Sequence, residues 1–251
     1  MKRFSGILFI SLLMLWGTAQ SGLANDCGLR ILTEISSPSV FEDADGSLKG
    51  FGIEIVEAMK KEIGCESPVE VMPWARGYKY VSNHPDVMLF STARTEQREE
   101  LFHWVGPIAC YKWVFYGLKG GVKVKSLEEA KKVNGIGCYR KDARTQFLQG
   151  QGFSNLEITD SQDINFKKLL RGRIDLVVTS NIGIKSILEK NDELREKTVP
   201  VFTFRSVKMY LAFSKSTDSA TIRRWQEAYD VLQRRGVIGD IQDRWIQRCR
   251  E

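Results

Sequence analysis

Hydrophobic and polar positions alternate in blocks along this chain, and the lengths of the blocks set the first expectations. The run at 29–33 is apolar enough for a short buried strand, and a polar loop with Pro38 and the turn Asp43-Ala44-Asp45-Gly46 follows it. From 52 to 63 the spacing becomes helical: Ile55, Val56, Met59 and Ile63 share one face, and Gly64 stands where a left-handed C-cap belongs. Residues 69–72 predict a strand, 78–82 a short helix, and the continuous apolar run at 86–90 a strand covered on both faces. Strands alternating with helices point to a parallel sheet in an α/β layer.

Residues 104–116 are aromatic and β-prone without a helical period, a candidate crossover between two halves. The alternation then restarts. Ser126 and Glu129 have the spacing of a capping box, 133–138 predict a strand, and Asp142 is placed to cap the next helix. A helix over 161–171 ends at Gly172, followed by a buried strand at 174–178, a helix at 184–190 and strands at 199–204 and 209–213. Near the end, Ile222, Trp225, Tyr229 and Leu232 recur at helical spacing, and Ile238, Ile241 and Trp245 repeat it after Gly236. Such stripes are core-facing. A faint internal echo, helix then turn then aspartate then apolar strand, links 78–90 with 168–178 and fits two similar lobes.

The N-terminus has a different logic. Lys2 and Arg3 precede an almost wholly apolar run at 7–16, and small and polar residues lead to Ala24. That order is a secretory signal peptide, with cleavage expected after Ala24. A spanning helix needs roughly 20 apolar residues, so the run is too short for an anchor. Cys27 lacks the small residues a lipid-attachment site wants before it. The residues left after the leader suffice for one large domain or two lobes of about 100 residues.

The net charge of +6 includes Lys2 and Arg3 of the leader, so the exported chain is only mildly basic. Apart from Arg223-Arg224 and Arg234-Arg235 the basic residues are scattered, which argues against a nucleic-acid partner and suits a small anionic ligand. The cysteines Cys27, Cys65, Cys110, Cys138 and Cys249 are odd in number, so at least one is free or pairs between chains. No CxxC or Cys/His cluster exists, the two histidines His84 and His103 are isolated, and no metal or other cofactor is expected.

Read in order, several short segments carry a resemblance. They are Leu29-Arg30-Ile31; the Gly46, Gly50, Phe51, Gly52 turn into the first helix; Pro73-Trp74-Ala75-Arg76; the stretch Ser91, Thr92, Ala93, Arg94, Thr95, Glu96, Gln97, Arg98; Gly172-Arg173-Ile174-Asp175; and the terminal helix near Arg244-Trp245-Ile246. Together they resemble the family 3 extracellular solute-binding proteins, the periplasmic amino-acid-binding components of ABC importers, over essentially the whole chain after the leader. The resemblance implies an α/β, two-lobed periplasmic-binding-protein fold. Each lobe would be a small mixed sheet with flanking helices, joined by two crossover strands acting as a hinge. With crossovers near 110–112 and 206–209, lobe one would be 26–110 plus 209–251 and lobe two 111–208.

The resemblance also implies a site in the cleft. Arg98 would fork onto a ligand carboxylate, because a planar guanidinium offers two parallel charge-assisted hydrogen bonds. Ser91 and the backbone at Ala93 would bind from the strand end, Trp74 would be an aromatic platform, and Glu34 would meet an amine. Arg76 and Arg94 are further candidates, and Arg140 and Asp142 flank a helix N-terminus that could clamp an anion. The family's lobe-two aspartate, which pairs with an α-ammonium, falls near Ser180 and Asn181, and neither is charged. Either Glu34 or Asp142 replaces it, or the ligand is not an ordinary α-amino acid. Cys27 and Cys65 would lie at the N-terminal edges of neighbouring strands, within disulfide reach, and Cys138 in a buried strand. The implied protein is a monomeric periplasmic receptor that delivers a small carboxylate-bearing ligand to a membrane permease. Two other readings stand beside it. One is an enzyme of the same fold, similar to cyclohexadienyl dehydratases, with Glu34, Asp142 or His103 as the acid. The other is a detached ligand-sensing subunit of a signalling system.

Overall fold

A computed structural model describes residues 27–246; the expected leader and Cys249 lie outside the described residues. Strand β1 (Arg30–Thr33) is followed by a two-stranded ribbon of β2 (Phe41–Glu42) and β3 (Leu48–Lys49), then helix α1 (Phe51–Ile63). The glycines before α1 have a steric reason. A Cβ on Gly50 would stand 2.4 Å from the Ser39 carbonyl oxygen, and one on Gly52 would meet the Ser39 hydroxyl just as closely. This close approach seats the 38–39 loop on the helix start. Gly64 adopts the expected left-handed conformation, φ 64°, and its N–H closes the helix end on Lys60 and Lys61 carbonyls.

Strand β4 (Val69–Val71), helix α2 (Trp74–Asn83) and β5 (Val87–Ala93) complete the first half, with β4 and β5 parallel to β1 on either side. Helix α2 starts earlier than the apolar spacing predicts, directly after Pro73. Its first turn is held by Arg76 and Gly77 N–H groups on the Pro73 carbonyl rather than by an apolar stripe. After a 3-10 turn at Glu96–Leu101, β6 (Phe102–Leu118) runs the full length of the molecule.

The second half holds α3 (Leu127–Ala130), β7 (Ile136–Tyr139), α4 (Ala143–Gly150), β8 (Leu156–Thr159), α5 (Gln162–Leu170), β9 (Leu176–Ser180), α6 (Gly183–Glu189) and α7 (Asp192–Lys197). Ser126 caps α3 and Asp142 caps α4, each accepting a backbone N–H, from Glu129 and Arg144 respectively. Strand β7 begins only at Ile136, because Asn134 turns away to donate its N–H to the Asp175 carboxylate.

The two strands expected at 199–204 and 209–213 are one, β10 (Thr198–Ser214). The polar Arg205 and Ser206 interrupt the apolar pattern but not the pairing, since Arg205 opposes Trp113 and Ser206 opposes Lys112 on β6. Helices α8 (Ser219–Arg234) and α9 (Val237–Trp245) then return to pack on α1. They bury Trp225, Tyr229, Leu232, Ile238 and Ile241, the stripes read from the sequence.

The sheet order is β4-β1-β5-β10-β6-β9-β7-β8. Parallel trios, β4-β1-β5 and β8-β7-β9, flank the antiparallel pair β10 and β6. The pairing of β5 with β10 stops at Ala93 and Met209, and that of β6 with β9 begins at Trp113 and Ser180. Between them, residues 110–112 face 206–208 with no third strand beside them. Cys27 and Cys65 form a disulfide, with Cα atoms 5.1 Å apart. Cys110 is also disulfide-bonded, and Cys138 is the free cysteine among the described residues, buried in β7.

Candidate functional site

A cavity of about 360 Å³ lies between the two halves, beside the β6–β10 pair. Both parallel trios point the carboxyl ends of their strands toward it, the position where open α/β sheets take ligands. Glu34 follows β1, Ser91 and Ala93 end β5, Trp74 opens α2, and Arg98 comes from the 3-10 turn; all line the cavity. From the other side come Tyr139 at the end of β7, Asp142 and Arg144 around the α4 N-terminus, and Thr179 and Ser180 at the end of β9.

Ser91 has φ 58°, a left-handed conformation that a non-glycine residue adopts at a cost. The turn brings its hydroxyl to that of Ser39, 2.5 Å away. The GFG-type helix start and the strand end thus meet at one edge of the cavity.

Arg98 is 1% exposed, which a surface pairing with Glu99 or Glu100 would not allow. Each nitrogen of its guanidinium makes one hydrogen bond within the chain. Nε donates to Gln146 Oε1 at 2.9 Å, Nη2 to the Lys141 carbonyl at 2.9 Å and Nη1 to the Ala93 carbonyl at 3.4 Å. The cation also sits over the Tyr78 and Trp74 rings, 4.7 and 5.4 Å from their centroids. Burial draws its pKa down from the ordinary arginine value. The Trp74 indole N–H donates to the same Lys141 carbonyl at 3.0 Å. With Tyr139, whose hydroxyl donates to Glu34 Oε2 at 3.3 Å, these bonds tie one wall of the cavity to the other.

Glu34 is pushed up to about 7, first by burial and then by the Asp142 carboxylate, against the smaller help of the Tyr139 hydroxyl and Arg144. Asp142 behaves oppositely. Burial opposes its charge, yet Arg144 and Arg98 together hold its carboxyl below the ordinary value. Asp142 and Arg144 form a bidentate ion pair, Nε to Oδ1 and Nη2 to Oδ2 at 2.7 Å each, with both side chains 16% exposed.

Three sequence candidates do not line the cavity. Arg94 is drawn off by a bidentate pair with Glu99 and packs over the Tyr210 and Trp104 rings. Arg140 leaves Asp142 and pairs with Asp160 in solvent. Arg76 is exposed on α2. His103, weighed as an acid, reaches only the Lys215 carbonyl and lies off the cavity. Ser180 is present but its hydroxyl accepts from the Gly183 N–H at 2.8 Å, stitching the turn into α6. Arg144 is the main residue that the sequence reading missed. It stands two residues beyond the cap Asp142, on the first turn of α4, and only that spacing hinted at an internal ion pair.

A ligand-sized cavity between two α/β halves that share a pair of continuous strands defines a cleft-type binding protein. The chain belongs to the bacterial extracellular solute-binding proteins, family 3, whose family model matches residues 29–248, and it shares that family's solute-binding function. It is 20% identical over 214 residues to the L-cystine-binding protein TcyJ of Escherichia coli strain K12, covering 83% of this chain and 78% of that one. Its fold matches an ancestral arginine-binding protein bound to arginine, at TM-score 0.75 and 22% identity over 87% of this chain and 98% of that one. It also matches a histidine kinase sensor domain with similarity to periplasmic binding proteins, at TM-score 0.77 and 17% identity over 86% of this chain and 95% of that one. No helix among the described residues is long and apolar enough to cross a membrane.

Proposed function

We propose that this chain is a periplasmic receptor, exported on a cleaved leader, that captures a small carboxylate-bearing molecule, an amino acid or a close relative, for an ABC importer. The lobes are 26–110 plus 209–251 and 111–208. They turn about the segment where 110–112 faces 206–208, between the last β5–β10 pair and the first β6–β9 pair. The observation that carries the reading is the interlobe cavity, whose walls bring Glu34, Arg98, Asp142 and Arg144 together in a site small enough for one amino acid. The closed form docks on a membrane permease, and the receptor works as a monomer without cofactor or catalysis.

One observation favours a second reading. Glu34, with a pKa near 7 and a tyrosine hydroxyl as partner in a buried cavity, has the properties of a general acid. An enzyme similar to a cyclohexadienyl dehydratase would use it so.

The deciding experiment is a thermal-shift screen of residues 25–251 against amino acids, their keto and amide relatives and small dicarboxylates. A ligand at about 100 times its Kd adds roughly 2.7 kcal/mol, several degrees of Tm for a protein of this size. A hit supports capture. A folded, ligand-free protein that responds to nothing in the panel refutes it, and turnover of a bound cyclohexadienyl acid that is lost in Glu34→Gln would establish the enzyme instead.

A further inference from the structure

Four aromatic side chains that carry a polar hydrogen line the cavity: Trp74, Tyr111, Trp113 and Tyr139. The two on its walls are used within the chain, the Trp74 N–H on the Lys141 carbonyl and the Tyr139 hydroxyl on Glu34. The other two stand on β6 at the hinge, where Tyr111 opposes Val207 and Trp113 opposes Arg205. Residues two apart on a strand share a face. Tyr111 and Trp113 therefore both reach the cavity floor, while Lys112 between them is exposed on the other side.

Neither the Tyr111 hydroxyl nor the Trp113 indole N–H has a hydrogen-bond partner among the described residues. Trp113 is only 2% exposed, and Tyr111 is partly buried. A buried indole N–H or phenol O–H ordinarily finds a partner, because an unpaired donor held away from water is costly. These two are not sealed in. Four side-chain oxygens among the described residues, on Ser47, Asn155, Thr198 and Thr217, are buried without a partner, and neither donor shares their situation. Unpaired yet open, both donors face the space that their residues line, which is the cavity. The unpaired groups of Ser36, Asp163 and Lys190 are a different case, since those residues are exposed at the mouth and water serves them.

Resting on the receptor reading, we infer that Tyr111 and Trp113 form a neutral subsite for the ligand's side chain, and that this subsite takes an oxygen acceptor, the oxygen of a side-chain amide or carboxylate. An indole N–H can only donate. The Tyr111 phenol stays protonated, because burial raises its pKa, so it offers a second proton beside the first. The charged group that acts on Tyr111 is the Arg144 guanidinium, which makes the floor favour an oxygen further. An aliphatic side chain in this place leaves both donors unpaired. An ammonium or guanidinium brings donors to donors and a positive charge toward Arg144.

The test is calorimetry on the exported chain with asparagine, aspartate, glutamine and glutamate. Each is set against an aliphatic counterpart of similar size, leucine for the first two and norleucine for the others, with lysine as the cationic control. The wild type is expected to bind one acceptor-bearing ligand about tenfold or more tightly than its aliphatic counterpart and than lysine, the scale of leaving a buried donor unpaired. The amide and acid members of each pair tell which oxygen is preferred. Tyr111→Phe keeps the ring and removes the hydroxyl. It reduces the advantage over the aliphatic counterpart about tenfold, yet leaves the Tm of the ligand-free protein unchanged, because the hydroxyl bonds nothing in the chain; a structural tyrosine would lower that Tm. Trp113→Phe, checked as folded by circular dichroism, reduces the same advantage. A wild type that binds leucine, norleucine or lysine as tightly as the acceptor-bearing ligands overturns the inference and leaves the receptor reading standing. So does a Tyr111→Phe protein in which the ratio within a pair is unchanged. A wild type that binds neither these ligands nor any other member of the thermal-shift panel removes the receptor reading and this inference with it.

Discussion

Glu34 offers a quantitative test of the electrostatics of the cavity. Its carboxyl is raised from the ordinary 4.5 to about 7, by burial first and the Asp142 carboxylate second. Between those values the folded chain holds a proton that the unfolded chain has released. Stability is therefore fully present below the unfolded value and falls as pH rises through the window up to about 7. At 1.36 kcal/mol per unit of pKa, and allowing for partial titration at each end, the fold loses about 2.5 kcal/mol between pH 5 and pH 8 from this group alone. Glu34→Gln imitates the protonated carboxyl and keeps an acceptor for the Tyr139 hydroxyl, so its stability lacks this slope. The assay is urea unfolding of both proteins in the same buffers from pH 5 to pH 8. Subtracting one curve from the other cancels every other titrating group. The expected result is a difference that grows in favour of the variant by about 2.5 kcal/mol, mostly between pH 5 and pH 7. Parallel curves would refute the placement of a buried, near-neutral carboxyl beside Asp142.

Three further outcomes are expected. Cys27→Ala/Cys65→Ala opens a loop spanning 38 residues and costs about 4 kcal/mol by loop entropy, read from denaturation midpoints with the Cys110 disulfide left intact; a midpoint within error of the wild type would count against this. Trp225→Ala removes a 1%-exposed side chain packed on Phe213 and costs about 3–5 kcal/mol, with a lowered Tm as the readout. Trp74→Phe keeps the ring but deletes the N–H that reaches the Lys141 carbonyl, weakening the tie between the lobes by about 1 kcal/mol. Small-angle scattering of the ligand-free variant should show a larger radius of gyration, and an identical profile would mean that this bond does not hold the lobes together.

Much of the fold was legible in the residues themselves. The Ile55, Val56, Met59 stripe and Gly64 define α1 because burial of one face and a left-handed stop are local properties of a helix. The same is true of the α8 and α9 stripes and of the caps at Ser126 and Asp142. The order of short family segments was sufficient to anticipate two lobes, a cleft, and the positions of Glu34, Trp74, Ser91 and Arg98 on its wall.

What the sequence could not decide is how each charge is used, because that depends on partners far away in the chain. Arg94 and Arg98 are four residues apart in the same segment, yet one turns to Glu99 in solvent and the other is buried against Lys141 and Gln146 from the opposite lobe. Strand β10 reads as two strands until β6 supplies a partner for Arg205 and Ser206. Arg144 looks like an ordinary helix residue until the fold buries it with Asp142 beside Glu34. Local spacing determines which elements form. Only the packing of one lobe against the other removes water from these charges; that desolvation raises the Glu34 carboxyl, and the Arg144 and Arg98 guanidiniums brought beside Asp142 outweigh it there and keep Asp142 ionised.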